Sequence, residues 1–363
     1  MGTINVGGYE IDLTLAVGPA NSSSPVQEVT FSGSVTLLLD LEAGSNLQFV
    51  TRATSPEAAH ISELATDVWL LGDIQQRFRA WAVWQEWFQN GQDNVSTMAV
   101  TYKKLLSRRL VVAPEGLSFT DTDLGSTIWG MWQHTQSQPG GNLGVTLGSP
   151  VSTGLVRTRT YKYGENLGQQ AEDEYEEGMT WSIDQNLVYR ANLIDAGPWI
   201  GTPLHLGANV RAMQRASGSD FANAVFGDAD DATTTGVWRV AADVATDPRG
   251  RWELAKGWPT VKLQETLDDR TAAFLEQSYT PVAHWNIEME AARWVADSRI
   301  MPGTFCVLVV PRSLAAPVGE PAERIVVLVT QLSVNFDEDG GLNINSVVME
   351  RPDIPLPISV IGV

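Results

Sequence analysis

The sequence predicts a mainly β fold with accessory helices, an α+β chain. Three observations predict it: short segments of period-two alternation recur along the 363 residues, Gly 32 and Pro 18 break them up, and few stretches sustain helical spacing. A hydrophobic content of 43% over this length supplies one large core or two to three smaller ones.

Residues 1–60 hold short strand-like runs broken by turn material from Gly18 to Pro25. From Asp67 to Val111 the chain is more continuous. A break at Gly91 to Asn94 separates two apolar runs, and Val95, Thr97, Ala99 and Thr101 alternate with Ser96, Met98, Val100 and Tyr102. Trp81, Trp84 and Trp87 also satisfy an i, i+3, i+6 helical spacing. The Asn90-Gly91 turn signal and the β-branched residues after it favour strand.

The first helix is predicted after the N-cap candidates Thr120 to Asp123. Leu124, Ile128, Met131, Trp132 and Thr135 form its apolar face, and Pro139-Gly140-Gly141 ends it. A second helix spans 165–178, with Leu167, Ala171 and Tyr175 inward and Gly178 as its stop. A hairpin of 179–184 with 187–190 follows. Residues 214–236 are rich in Ala, Ser, Thr, Asp and Gly and read as an exposed connection near a domain boundary.

Leu267, Thr271, Phe274, Leu275 and Ser278 mark the face of a third helix, and Trp285, Ile287 and Met289 the inner side of a strand. Gly303 to Val310, Ile325 to Phe336 and Leu342 to Met349 close the chain as three strands. Between the last two lies NFDEDGGLNIN. As an EF-hand loop from Asp337 it places Gly341, Leu342 and Val348 where ligand, glycine and bidentate glutamate belong, so it reads as a hairpin turn and not a metal site.

The formal charge of −19 argues against a nucleic-acid-binding surface, which gains its affinity from Lys and Arg. It suits either plain solubility or a conduit along which DNA slides without sticking. Cys306 in an apolar run excludes an intrachain disulfide and reads as a buried, inert thiol. With no basic-then-apolar leader and no apolar stretch near eighteen residues, the expectation is a chain made without export signals and without a membrane span.

His60, His134, His205 and His284 lie too far apart for a metal motif. His134 falls where a cation would cap a helix end. No GxSxG elbow, P-loop or GxGxxG is present. The acidic run Glu172, Asp173, Glu174, Glu176 and Glu177 offers carboxylates for glycoside cleavage, against a plain reading as a solvated helix face. Asp228, Asp230 and Asp231 read as a solvated turn, with a weak cation site as the alternative. Thirteen tryptophans supply large anchors for cores, interfaces or sugar stacking.

The succession TDVWLLGDIQQRFRAW, DNVSTMAVTYKKLLSRRLV, IWGMWQHTQSQPGGNLGVTLG and RTRTYKYGENLGQQAEDEYEEGMTWSID resembles the tail-hub or minor tail proteins of long-tailed siphophages, particularly those infecting Actinobacteria. HTQSQPGGNLGVTLG and TYKYGENLGQQ are its most specific parts, and LVTQLSVNFDEDGGLNINSVVME resembles the closing hairpin of the same family. The resemblance covers most of the chain from about residue 60.

It implies a baseplate-hub-like fold of two tail-tube-type β-barrel domains with peripheral inserted domains. The parts would be 1–111 as the first barrel, 112–211 as the second barrel with a peripheral α+β part, 212–300 as linker and peripheral helix-strand part, and 301–363 as strands completing a barrel. The implied role is a structural virion protein at the tail tip. A homotrimeric ring would contact the distal tail protein, the tape measure protein and other minor tail proteins, and viral DNA would pass through an acidic lumen. The resemblance implies no catalytic, cofactor-binding or metal-binding residues and no cofactor. The alternatives are a tail-associated glycan hydrolase using Glu172 or Glu174, and a carbohydrate-binding tail module using exposed tryptophans.

Overall fold

The computed structural model describes residues 2–6, 9–89, 91, 93–149, 152–217, 221–229, 234–248, 250–258, 261–279, 283–289, 294, 300–310, 323–337 and 342–350. It is mostly β with four α-helices among these residues, as the alternation and turn content predict.

The chain opens with eight strands: β1 (Gly2–Val6), β2 (Tyr9–Pro19), β3 (Gln27–Glu28), β4 (Ser34–Asp40), β5 (Asn46–Arg52), β6 (Thr66–Gly72), β7 (Gln76–Glu86) and β8 (Asn94–Thr101). The tryptophan segment 81–86 is therefore strand, and the ladder ends at Thr101. Tyr102, read as its next alternating position, instead starts the short helix α1 (Tyr102–Leu105).

A mixed unit follows: β9 (Leu117–Asp123), α2 (Leu124–Ser137), β10 (Thr146–Leu147), β11 (Val156–Tyr161), α3 (Leu167–Asp173), β12 (Met179–Ile183) and β13 (Val188–Leu193). Asp123 caps α2 by accepting from the Gly125 N–H at 2.9 Å, and all five residues of its predicted apolar face are buried. Asn166 caps α3. Gly178, at φ 87°, stops the 3-10 turn that continues it, because only glycine takes that conformation freely.

The rest comprises β14 (Leu204–His205), β15 (Val210–Ser217), β16 (Ala224–Asp228), β17 (Val237–Val240), β18 (Glu253–Gly257), α4 (Gln264–Tyr279), β19 (Ala283–Met289), β20 (Phe305–Val310), β21 (Glu323–Asp337) and β22 (Leu342–Glu350). The expectation of an exposed connection over 214–236 is overturned. The end of β15 and all of β16 fall within it, and Ala222, Asn223, Ala224 and Val225 are buried. The small residues there are packing residues: a Cβ at Gly227 would stand 1.9 Å from Thr271 Oγ1 of α4, so glycine lets the helix lie close on the strand.

Fourteen strands form one sheet that curls as a half-barrel, in the order β1-β2-β6-β7-β8-β5-β4-β21-β22-β19-β15, with β3 on β2, β20 on β21 and β14 on β20. The fifteen-residue β21 pairs with β20 through its first half and β4 through its second, with β22 along its other edge. The β21–β22 register, Phe336 opposite Leu342 and Asn335 opposite Asn343, is that of a hairpin. Its turn, including Asp339, lies outside the described residues.

Alternation puts Val35, Leu37, Leu39, Leu47, Phe49, Leu332, Val334, Phe336, Ile344, Trp285 and Ile287 into one core. A second core gathers α2, α3, β12 and β13, where Trp132 meets Trp181 edge-on at 6.3 Å and Trp181 lies 6.0 Å from Tyr189. A third, under α4, holds Trp258, Val261 and Leu267. Each such aromatic or aliphatic burial contributes roughly 1.5–3 kcal/mol. No helix among the described residues is long and apolar enough to cross a membrane.

Candidate functional surface

The side of the large sheet facing away from the first core follows from the pairing register. β15 presents Gln214, β19 Asn286 and Glu288, and β22 Asn343 and Asn345. β21 presents Gln331, Ser333 and Asn335, β4 Thr36 and Leu38, β5 Asn46 and Gln48, and β8 Ser96 and Met98. Seven adjacent strands thus form one face of amides and hydroxyls. Its formal charges within this span include the carboxylate of Glu288, ion-paired with Arg211 of β15 at 3.2 Å, and that of Asp40 at the end of β4. Arg52 and Glu86 stand at the rim, on the ends of β5 and β7. Over β15, β19, β22 and β21 the face is concave, with a hollow of about 350 Å³ lined by Gln214, Asn286, Glu288, Gln331, Ser333 and Asn345.

Such a face is hydrated and poor in cations for phosphates, its Arg211 being paired with Glu288. It also lacks the apolar centre of a protein interface. The chain's charge of −19 is carried elsewhere, so this face does not match the expected acidic lumen.

Within the acidic run Glu174 and Glu177 are not solvated. Glu174 is buried, its Oε1 accepting from Arg159 Nε at 2.9 Å and its Oε2 from Arg159 Nη2 at 3.3 Å. Glu177 accepts from Arg159 Nη2 at 2.7 Å, from Arg157 Nε at 3.1 Å, and from Arg270. Burial alone would push the Glu177 carboxyl up, but Arg270, Arg159 and Arg157 outweigh it and hold it below the usual carboxylate range. Both oxygens of each carboxylate are committed to guanidinium groups, and Arg270 ties α4 to the α3 unit. At Glu174 and Glu177 these are structural ion pairs, without the unpaired carboxyl that glycoside cleavage requires; Glu172, the other candidate, is half-buried, and burial raises its carboxyl against the pull of Lys103 and Lys104.

A second buried network centres on Asp67, which accepts from Arg77 Nε at 3.0 Å, Arg79 Nε at 2.5 Å and the Tyr102 hydroxyl at 2.8 Å. Burial, reinforced by Asp67, drives the Tyr102 hydroxyl well above the usual phenol range. Sequence reading missed this network because its members lie ten to thirty-five residues apart on three elements.

Between β4, β12 and Met301 to Gly303 runs a crevice of about 410 Å³ lined by Asp40, Ser45, Thr101, Lys103 and Trp181. Lys103 is only 8% exposed. Its Nζ donates to Leu41 O at 2.7 Å and lies 5.0 Å from the Trp181 ring centroid. Burial pulls its ammonium down to about 8, against the pull of Asp40, Glu172 and Glu42.

No family model matches the chain, and no curated protein matches it in sequence. Solved structures do match its fold. The prophage MuSo2 43 kDa tail protein from Shewanella oneidensis aligns over 94% of this chain and 99% of its own, with TM-score 0.61 and 13% identity. The prophage tail protein gp18 from Listeria monocytogenes aligns over 96% and 97%, with TM-score 0.61 and 9% identity. A type VI secretion component from E. coli, described as similar to the T4 tail proteins gp27 and gp5, aligns over 94% of this chain and 77% of its own, with TM-score 0.50 and 12% identity. The chain has a phage tail-protein fold.

Within that fold the remaining sequence candidates fall as follows. His134 lies in the last turn of α2, where its Nε2 accepts from the Val112 N–H at 3.2 Å. Gln138 and Ser137 supply donors to its carbonyl. Cys306 is buried, and burial pushes its thiol up to about 12. Asp228 is exposed at the end of β16, while Asp230 and Asp231 lie outside the described residues. Trp81 packs against the second core, whereas Trp84 and Trp87 are 52% and 75% exposed.

Proposed function

We propose that this chain is a structural virion protein, the tail-tip hub of a long-tailed phage whose host is an actinobacterium. In this reading it forms a threefold ring joining the tail tube to host-recognition proteins, with the distal tail protein and the tape measure protein as neighbours. Two tube-type barrels, from parts 1–111 and 112–211 with 301–363 completing a barrel, surround a DNA channel; of 212–300, β15 and β19 join the channel sheet and the β16–β18 and α4 part lies outside it.

The observation that carries this reading is the tail-protein fold over almost the whole chain, joined to a seven-strand face rich in amides and hydroxyls whose cation Arg211 is paired with Glu288. A wall for passing DNA must stay wet and must not neutralise phosphates, since each Lys or Arg contact adds salt-dependent affinity. Asn, Gln, Ser and Thr satisfy both demands.

Cryo-electron microscopy of the native particle tests it. The expected result is a threefold ring at the tail tip with Ser333, Asn335 and Asn345 facing the lumen. A peripheral copy, or a ring with this face turned outward, overturns it. A second reading, carbohydrate binding, draws on the exposed Trp84 and Trp87. It requires a change in tryptophan fluorescence with host wall sugars that is lost in Trp87→Ala.

A further inference from the structure

The sheet β10-β13-β12 ends at β12, whose second edge has no strand beside it among the described residues. The register fixes which peptide groups face that edge. The Asp184 N–H donates to Val188 O at 3.1 Å and the Ile194 N–H donates to Gly178 O at 2.8 Å, so 184/188 and 178/194 are hydrogen-bonded pairs of this ladder. Such pairs alternate along an antiparallel ladder. Thr180 and Ser182 therefore bond to β13, while Met179, Trp181 and Ile183 turn N–H and C=O outward.

The Ile183 carbonyl accepts from Gln76 Nε2 at 3.4 Å. The Trp181 N–H and C=O have no partner among the described residues, although the residue is only 4% exposed. Nearly all buried peptide groups are paired, so this one marks a position where a partner is due. It lies on the wall of the 410 Å³ crevice, next to Lys103. Lys103 spends one donor on Leu41 O and has no carboxylate within ion-pair distance among the described residues.

We infer that the β12 edge and this crevice form a strand-addition site for an extended segment of another polypeptide, its backbone pairing with Trp181 and one of its carbonyls accepting from Lys103. The segment is uncharged or basic. Asp40 on the wall, with Glu42 and Glu172 acting on Lys103, repels an acidic one, and an uncharged carbonyl suits a donor that already serves Leu41 O. Main-chain pairing gives the affinity and the crevice gives the side-chain selection.

The site does not depend on the tail-tip position, and one map separates the two claims. In cryo-electron microscopy of the native particle, the expected result is an extended main chain beside β12 within hydrogen-bond distance of Trp181 N and O. Solvent alone beside β12, or an acidic segment there, overturns the inference even if the chain sits in a threefold hub. A paired β12 in a chain seated elsewhere upholds it and overturns the hub. Lys103→Met is expected to cut incorporation of the chain into particles roughly tenfold, and Lys103→Arg to retain it. Equal incorporation of a folded Met variant counts against the site, and if that variant fails to fold the map decides.

Discussion

Lys103 and Glu177 are ionisable groups whose surroundings act in opposite ways on stability. The Lys103 ammonium is lowered to about 8 by burial, so between that value and 10.5 the unfolded chain binds the proton and the native chain has released it. Stability therefore rises with pH through this window, by up to on the order of 3 kcal/mol. Urea melts at pH 8 and pH 10.5 should show the gain in the native chain and its loss in Lys103→Met. For Glu177 the folded value is depressed below 4.5. Its contribution is present above the unfolded value and is lost as pH falls through the folded one. Glu177→Gln should flatten the stability slope below about pH 4.5, and an unchanged acid limb would show that the three arginines do not act on it.

Among the elements, β19 and the segment just after β7 carry tryptophans with opposite fates. Trp285 lies in the first core at 6% exposure, so Trp285→Ala should cost about 3–5 kcal/mol in a chemical melt. Trp87→Ala, three-quarters exposed, should stay within about 0.5 kcal/mol. Gly227→Ala should destabilise by about 1–3 kcal/mol through overpacking, because Thr271 must move and α4 with it. A neutral result would mean that α4 sits farther from β16.

The helices α2 and α4, the β12–β13 turn and the closing hairpin were legible because their signals are local: caps, a 3.6-residue period, a glycine stop, parity on either side of a turn. β16 was not, because Ala, Gly and Asn in a strand under a helix resemble a polar loop. Nor were the partners of Glu174 and Glu177: Arg159 is fifteen residues from Glu174, and Arg270 is ninety-three from Glu177. A charge run reads as solvated until the fold supplies its counter-ions.

On the scale of the whole molecule, the amide and hydroxyl face separates net charge from local chemistry. A total of −19 says little about any one surface, and the register showed where charge is missing. Asn345→Lys or Ser333→Lys should give the purified chain a salt-dependent affinity for duplex DNA that the native chain lacks, read by fluorescence polarisation. Lysine variants that remain as inert as the native chain would mean the face is covered or too small to engage a duplex. The same variants in assembled particles should slow DNA delivery if this face lines the channel.

The pairing of β4 with β21, where Gln331 bonds to Asp40 across 291 residues, also sets a clock on biogenesis. At ribosomal speeds of about 5–20 residues per second, β4 waits roughly 15 to 60 s after its own synthesis for the strand that covers its edge. During that interval a nascent hydrophobic sheet with an open margin is exposed to every neighbouring chain on the polysome. Such a gene product places an early demand on chaperones, and crowded expression should cost it yield before it costs the finished protein any stability.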